Sequence, residues 1–575
     1  MNFVPRSVVL LFLSTILQGA APAQDTRAAS RPAGEGARLI EPTRAPEGGP
    51  CRLVVFISVD QLARHVYRAA HPFFGTGGFR RLEREGTSFR RAAYAHAGTL
   101  TGPGHATLAT GAPPCLHGIV SNSWTDPATG RPIYCVADPK AAPLEGWEEG
   151  AGVGPGNLLA PTLGDTMKVF LSPAARVVSL SFKDRAAILL GGHAADLAVW
   201  YSPLTGRFVT NRYYVSEKPA WLEAFDRSRR VDAFFGRRWK HFAPHAAYAM
   251  LTDERPFERP SGNGSRSVGH AVTGGEKEPG PRYHQELPGT PFANELLLEL
   301  TFRALEEEGL GRDAIPDLLA LSFSAGDYAG HAHGPLSVEV RDVTLRLDAL
   351  LARLLARLDE KVGKGRYLVV LSADHGVAPA PAWTRDLRAG GGQDWMGRKA
   401  RQAAEEALRA AFGPAPDDAS WVHASSPSSL HLRADLIRAS GHELVEAQDI
   451  AARAALRAPG IGAAIGRERA LRHQIPDTPV HRALALMVHP LRSADVIMAP
   501  RPFWIPPGIV ASHGSPHAHD RFVPLLVMGP GIRAGRVSET SVTPAAGVVL
   551  VAEVLGIPVP ALCFEPLPLG VLADS

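Results

Sequence analysis

Cysteine is scarce in this chain: four residues in 575, at Cys51, Cys115, Cys135 and Cys563. That is too few for a disulfide-built scaffold, and none sits at zinc-finger spacing. Beyond the N-terminus no apolar run reaches membrane-spanning length. Charge of one sign is also missing. With 61 basic and 57 acidic side chains the net charge is +4, which gives no support for a nucleic-acid binder; that would need a basic stripe or clustered runs. There is no internal repeat and no coiled-coil pattern. What remains is a long chain, 45% hydrophobic, able to bury a large core.

The N-terminus is a targeting signal by its pattern. Arg6 supplies positive charge, Val8 to Leu17 form a short apolar stretch, and Ala21-Pro22-Ala23 offers a small-residue cleavage site before Gln24. We therefore expect a signal peptide over residues 1–23 and, from the Ala/Arg/Gly/Pro-rich composition, a disordered linker over 24–50. The mature protein is expected to be periplasmic or secreted, with no stable membrane insertion after signal cleavage. An oxidising compartment permits disulfides. Cys115 and Cys135 bracket one motif and are the favoured pair, although four cysteines allow three connectivities.

Four short apolar runs each end on polar residues. Leu53 to Val59 leads into Asp60, Arg176 to Phe182 into Lys183, Asp317 to Phe323 toward Asp327, and Tyr367 to Ser372 toward Asp374. Runs of this kind read as strands buried on both faces of a parallel sheet, and open α/β sheets place ligand sites past strand C-termini. Asp60, Asp327, His331, Asp374, His375 and His513 make six residues of two ligand types. They suffice for two metal ions at three protein ligands each, and a three-ligand metal keeps an open position for water or substrate. Thr101, in TLTGPGH, is the candidate nucleophile. Taken singly, Asp60 is more simply a helix cap and a Lys-x-Arg pair a solvated patch. Their conjunction and order favour a two-metal hydrolase.

In that order, VD, TLTGPGH, HGIVSN, KDR, DYAGH, DHG and HGSP, the motifs resemble the alkaline phosphatase superfamily. The resemblance is closest to the phosphate-irrepressible alkaline phosphatases of PafA type, with nucleotide pyrophosphatase/phosphodiesterases as cousins, and spans about Val54 to Pro530. It implies an α/β fold with a largely parallel central sheet flanked by helices and carrying inserted cap segments. It also implies two zinc ions, one on Asp327, His331 and His513, the other on Asp60, Asp374 and His375 with the Thr101 oxygen. Two such ions about 4 Å apart stabilise the attacking and leaving oxygens of an in-line displacement. A phosphothreonine on Thr101 would then be hydrolysed by an activated water.

Asn122, Lys183 and Arg185 bear on the substrate. A phosphate monoester carries one more non-bridging charge than a diester and calls for extra cationic donors. The Lys-x-Arg pair is similar to that of the family's monoesterases, so small phosphate monoesters are the expected substrates. A phosphodiesterase or nucleotide pyrophosphatase using the same metals is the alternative. A sulfatase would need a Cys-x-Pro-x-Arg context that Cys115 lacks. His105 is read as a packing residue or one that supports a ligand, His96 and His117 as structural, and His333, His517 and His519 as polar neighbours of ligand motifs.

Residues 51–575 are read as one catalytic domain with insertions at about 189–291 and 379–507. The first is rich in aromatic residues and then in Gly and Pro; the second carries helical stretches at Arg398–Phe412 and Ile450–Arg457. A short helix before Gly86, a helix at Gly104–Ala109, one preceded by Pro291, and a leucine-faced helix over Val338–Leu358 complete the reading. A final strand is expected over Val523–Met528.

Overall fold

The uninterrupted apolar runs form strands whose side chains are buried on both sides. All seven residues of Leu53–Val59 are buried. Leu53, Val55, Ile57 and Val59 enter one apolar cluster, Val54 and Phe56 the other, as alternation across a strand requires. The structure is a computed structural model that describes residues 51–573 except 128 and 145–151. The signal peptide over 1–23 and the linker over 24–50 lie outside the described residues.

These strands belong to a nine-stranded sheet. Its spatial order is Arg536–Val542, Gly86–Ala92, Leu526–Met528, Tyr367–Ser372, Leu53–Val59, Asp317–Phe323, Val177–Ser181, Leu197–Ser202 and Arg207–Val209. Only Leu526–Met528 and Arg207–Val209 run against the rest. The four strands that lead into sequence motifs, Tyr367–Ser372, Leu53–Val59, Asp317–Phe323 and Val177–Ser181, are consecutive parallel neighbours. Their register aligns Ser372, Ser58, Ser322 and Ser181 in one buried row near the C-terminal ends. Segments far apart in sequence thus end side by side.

Helices cover both faces. On one, Val338–Leu358 buries Leu345, Leu347, Leu350, Leu351, Leu354, Leu355 and Leu358, and Pro291–Glu307 packs beside it. Ala546–Leu555 and the helix Thr101–Thr110, which begins three residues earlier than its sequence suggests, cover the other. Between Met396 and Pro500 a four-stranded sheet (Val422–Ser426, Ser429–Leu432, Val496–Pro500, Ile461–Gly466) packs against helices Met396–Phe412 and Leu444–Ala455 around its own apolar cluster.

Some local readings change. Leu197–Ser202, within the stretch from 189, pairs with Val177–Ser181 in the main sheet. The helix Phe79–Glu85 does not end on a left-handed glycine: Gly86 is extended (φ −141°) and begins a strand. A Cβ there would lie 2.2 Å from the Val527 carbonyl oxygen, so this glycine serves close strand approach. The strand expected over Val523–Met528 is confined to Leu526–Met528, since Pro524 has no N–H to donate to a ladder, and it is not the final one, because Arg536–Val542 follows. All four cysteines are free thiols. Cys115 lies in the Pro114–His117 helix, while the buried Cys135 packs its sulfur toward Gly102, so the favoured pair is not bridged.

Candidate active site

Two groups of ligand-type side chains converge past the strand ends. Asp327 and His331 stand one turn apart on the helix Ala325–His333, with His331 Nε2 3.2 Å from Asp327 Oδ1. His513 arrives from the C-terminal part of the chain and places Nε2 3.2 Å from His331 Nε2 and 3.6 Å from Asp327 Oδ1. The Nδ1 atoms of His331 and His513 face the carbonyls of Ala511 (2.9 Å) and Thr99 (2.8 Å), which directs both Nε2 atoms inward. In the second group His375 Nε2 lies 3.5 Å from Asp60 Oδ1 and 3.3 Å from Asp374 Oδ2. The His375 Nδ1 is likewise held by a carbonyl, that of Gly376, at 2.9 Å. The His375 ring stacks on His513 with centroids 3.6 Å apart, so the two groups share a wall.

Thr101 is the first residue of its helix, and no side chain caps the preceding turn. Its hydroxyl therefore sits at the positive end of the helix dipole, which favours an anion. Asn122 Oδ1 accepts from Gly102 N at 2.6 Å, and Arg185 Nη2 reaches Thr101 Oγ1 at 3.5 Å. Lys183 takes a different direction. Its Nζ lies 2.5 Å from both Asp60 Oδ2 and Asp327 Oδ2, joining one carboxylate of each group. A cavity of about 230 Å³ opens alongside, lined by Leu100, Ser121, Ser123, Trp124, Gly514 and Pro516 among others.

The electrostatics are those of a site built for cations. Burial pushes the Asp327 carboxyl up, but Lys183, His331 and His513 outweigh it and hold it well below the ordinary range. Burial raises Asp60, and Asp327 and Asp374 raise it further against the pull of Lys183. Burial lowers His375, and burial with the neighbouring imidazoles lowers His513, so both rings present neutral lone pairs as metal ligation requires. Asp60 Oδ1, Asp374 Oδ2 and His375 Nε2 are buried without hydrogen-bond partners. Leaving such atoms unpaired is costly, and their convergence fits a bound cation. Asp327, His331 and His513 have donor atoms mutually within 4.8 Å, as do Asp60, Asp327 and His375.

Sequence reasoning gave no role to Gln61 or Tyr134, and read His105 as a packing residue or one that supports a ligand. Gln61 adopts a left-handed backbone (φ 66°), an uncommon conformation for a residue with a side chain. It donates its N–H to Asp374 Oδ1 (3.1 Å) and Nε2 to Asp327 Oδ1 (2.6 Å). Its place directly after Asp60 was the available signal. His105 Nδ1 lies 2.8 Å from the Thr101 carbonyl and 3.3 Å from Asp374 Oδ2, with Nε2 2.9 Å from Ser322 Oγ. It therefore fastens the Thr101 helix to both the Asp374 loop and the serine row. Tyr134 donates to Asp184 (2.7 Å) and lies 3.4 Å from Arg185 Nη1; nothing in its local sequence announced it.

Residues 54–455 match the family model of type I phosphodiesterase / nucleotide pyrophosphatase. Alkaline phosphatase PhoV of Synechococcus elongatus is 36% identical over 59% of this chain and 62% of its own length. A protein of Myroides odoratus named calcium-transporting ATPase is 30% identical over 87% of this chain and 92% of its own. No helix among the described residues is long and apolar enough to cross a membrane. The solved structure of alkaline phosphatase PafA superposes with a TM-score of 0.84 at 27% identity, covering 92% of this chain and 100% of PafA. A PafA variant with a threonine, an asparagine, a lysine and an arginine replaced together superposes equally well. The chain belongs to the type I phosphodiesterase / nucleotide pyrophosphatase family and is a phosphatase-type hydrolase of α/β fold.

Proposed function

We propose that this chain is an exported, zinc-dependent alkaline phosphatase that hydrolyses small phosphate monoesters through a phosphothreonine on Thr101. Asp327, His331 and His513 would hold one zinc ion, and Asp60, Asp374 and His375, with the Thr101 oxygen, the other. Zinc in such a site supplies Lewis acidity toward the phosphoryl oxygens and lowers the pKa of a bound hydroxyl or water.

The chain's own residues do the rest. The N-terminal end of the Thr101 helix, with its positive dipole end, favours the negative charge that accumulates around phosphorus. Arg185 offers a fork of donors toward the same space, held in place by Tyr134. Asn122 keeps one oxygen on the Gly102 N–H, which fixes its amide beside the nucleophile. Lys183 holds one carboxylate of each ligand group in position. The cavity that opens past Leu100 and Gly514 would give the leaving group room.

The observation that carries the monoester reading is the Arg185 guanidinium 3.5 Å from the Thr101 hydroxyl, because the extra charge of a monoester needs a cationic donor beside the nucleophile. The PafA variant adds support. The replaced residues are of the same four types as Thr101, Asn122, Lys183 and Arg185, and they recur at the same intervals from threonine to asparagine and from lysine to arginine. The test is kcat/KM of zinc-loaded protein on p-nitrophenyl phosphate and on its methyl diester. A strong monoester preference that a chelator abolishes supports the reading. A diester preference moves the chain to the phosphodiesterase side of its family.

A further inference from the structure

A third set of ligand-type residues lies apart from the two groups above. Glu258, His333 and Glu339 each bring a donor atom within 4.8 Å of the other two. They come from separate pieces of chain. His333 is the last residue of the helix that carries Asp327 and His331. It is two positions beyond His331, which on a helix turns its side chain to the other side. Glu339 is the second residue of the helix Val338–Leu358. Glu258 belongs to a loop fastened to the first helix by the Arg259 N–H, which donates to the Ala332 carbonyl at 2.8 Å.

The three are interior residues: Glu339 is 0% exposed, Glu258 2% and His333 9%. Both carboxylate oxygens of Glu339, Oε1 of Glu258 and Nδ1 of His333 are buried with no hydrogen-bond partner. The neighbouring cations are turned elsewhere. Arg255 lies over the Phe257 and Trp383 rings, and Arg266 donates Nε to the Glu258 carbonyl oxygen, not to its carboxylate. The Ser337 hydroxyl accepts from Val340 as the cap of the helix, and its pull on the Glu339 carboxyl is outweighed by burial. Glu258 Oε2 accepts only the Arg255 N–H, at 3.3 Å, and two buried carboxylates so thinly partnered are unfavourable unless protonated or bound to a cation. Burial accordingly pushes the Glu258 carboxyl up to about 7 and Glu339 to about 8.

We infer that Glu258, His333 and Glu339 form a further divalent metal site, separate from the catalytic groups and structural in role. Two carboxylates and one imidazole suit a transition-metal ion such as zinc, since imidazole disfavours magnesium and calcium. The ion would join the Glu258 loop, the start of Val338–Leu358 and the end of the helix bearing Asp327 and His331. It would thereby fix the helix from which two candidate catalytic ligands project.

The test begins with the full-length protein stripped by a chelator, reloaded with zinc and freed of excess ion by gel filtration. Its crystals are measured above and below the zinc absorption edge, and zinc per chain is counted by mass spectrometry. An anomalous peak between Glu258, His333 and Glu339 is expected. Glu339→Gln, close in shape and unable to carry the charge, is expected to bind one zinc ion fewer per chain than wild type. Absence of that peak in wild-type crystals, whatever the density at the catalytic groups, would overturn the site and leave a protonated carboxyl pair. An equal zinc count in wild type and Glu339→Gln would do the same. Should the variant fail to fold, the wild-type crystal decides alone.

Discussion

Lys183 and Arg185 are two positions apart in the chain, yet their charges face different partners. Arg185 faces Thr101, the proposed nucleophile, so its removal is expected to act on the reaction. Loss of one charged donor at a phosphoryl transition state costs on the order of 10²–10³-fold. We expect Arg185→Ala to lower kcat/KM for a monoester by about that factor and for the methyl diester by less than ~10-fold, read from the two substrates side by side. Equal losses would place the guanidinium outside phosphate recognition. Lys183→Ala instead leaves Asp60 and Asp327 without the ammonium that joins them. Breaking a buried pair in this way typically costs about 3–5 kcal/mol, so the metal-free variant should unfold at lower denaturant than metal-free wild type. Asp520 makes a third case. Burial pushes its carboxyl up to about 7; Oδ2 accepts from Ser515, and Oδ1 is buried without a partner. The folded state thus binds more protons than the unfolded one between about pH 4 and 7, and stability falls as pH rises through that window. Asn at this position cannot ionise and can still accept from Ser515. Asp520→Asn is expected to match wild type in unfolding free energy near pH 4 and to exceed it at pH 8, by roughly 1–4 kcal/mol, read from denaturant titrations at the two pH values. A constant difference across pH would count against ionisation of Asp520 as the cause.

At the scale of elements, the nucleophile helix stands unusually close to the Asp374 strand end. A Cβ on Gly104 would lie 2.1 Å from the Asp374 carbonyl oxygen, so only glycine permits this approach, and His105 beside it adds the polar contacts. Gly104→Ala must push the helix outward and carry Thr101 with it. Overpacking of this kind costs about 1–3 kcal/mol, and a displacement near 1 Å at a nucleophile can lower the rate ~10²-fold. Loss of kcat with little change in KM, measured on a monoester, is the expected outcome; unchanged kcat would show that the helix position is not critical. This glycine was visible in TLTGPGH, but its reason was not, because the partner is a backbone carbonyl some 270 residues away. The same distinction holds across the fold. Leu53–Val59, Asp317–Phe323 and Tyr367–Ser372 were legible to the residue, since burial on both faces leaves an unbroken apolar run. Gly86–Ala92 and Arg536–Val542, which include exposed arginine, glutamate and threonine near one edge of the sheet, were not. In the site, aspartates and histidines announced themselves by residue type and motif. Gln61 and Tyr134 act through hydrogen bonds to residues that only the fold brings near.

For the whole molecule, the arrangement of charge leads us to expect that stability depends on bound cations. Asp60, Asp327 and Asp374 lie buried near one ammonium, that of Lys183, and partnerless atoms on Asp60, Asp374 and His375 face the space between them. Without metal, this cluster opposes the stability that the two large apolar clusters on either side of the sheet provide. A ligand that binds only the folded state stabilises it by RT ln(1 + [L]/Kd), about 4 kcal/mol at a thousandfold excess over Kd. For 575 residues the unfolding entropy is so large that this amounts to only ~3–4 °C in melting temperature per site. We therefore expect chelation to lower the melting temperature by several degrees and added zinc to restore it with a midpoint that depends on zinc concentration. Asp374→Asn and His331→Ala address different ligand groups, so each should remove part of the zinc-dependent shift, and both together should leave only what the Glu258, His333 and Glu339 site contributes. A melting temperature indifferent to chelator and to zinc would mean that protons and Lys183 already balance the buried carboxylates, and that the convergence of unpaired donor atoms is not a metal site.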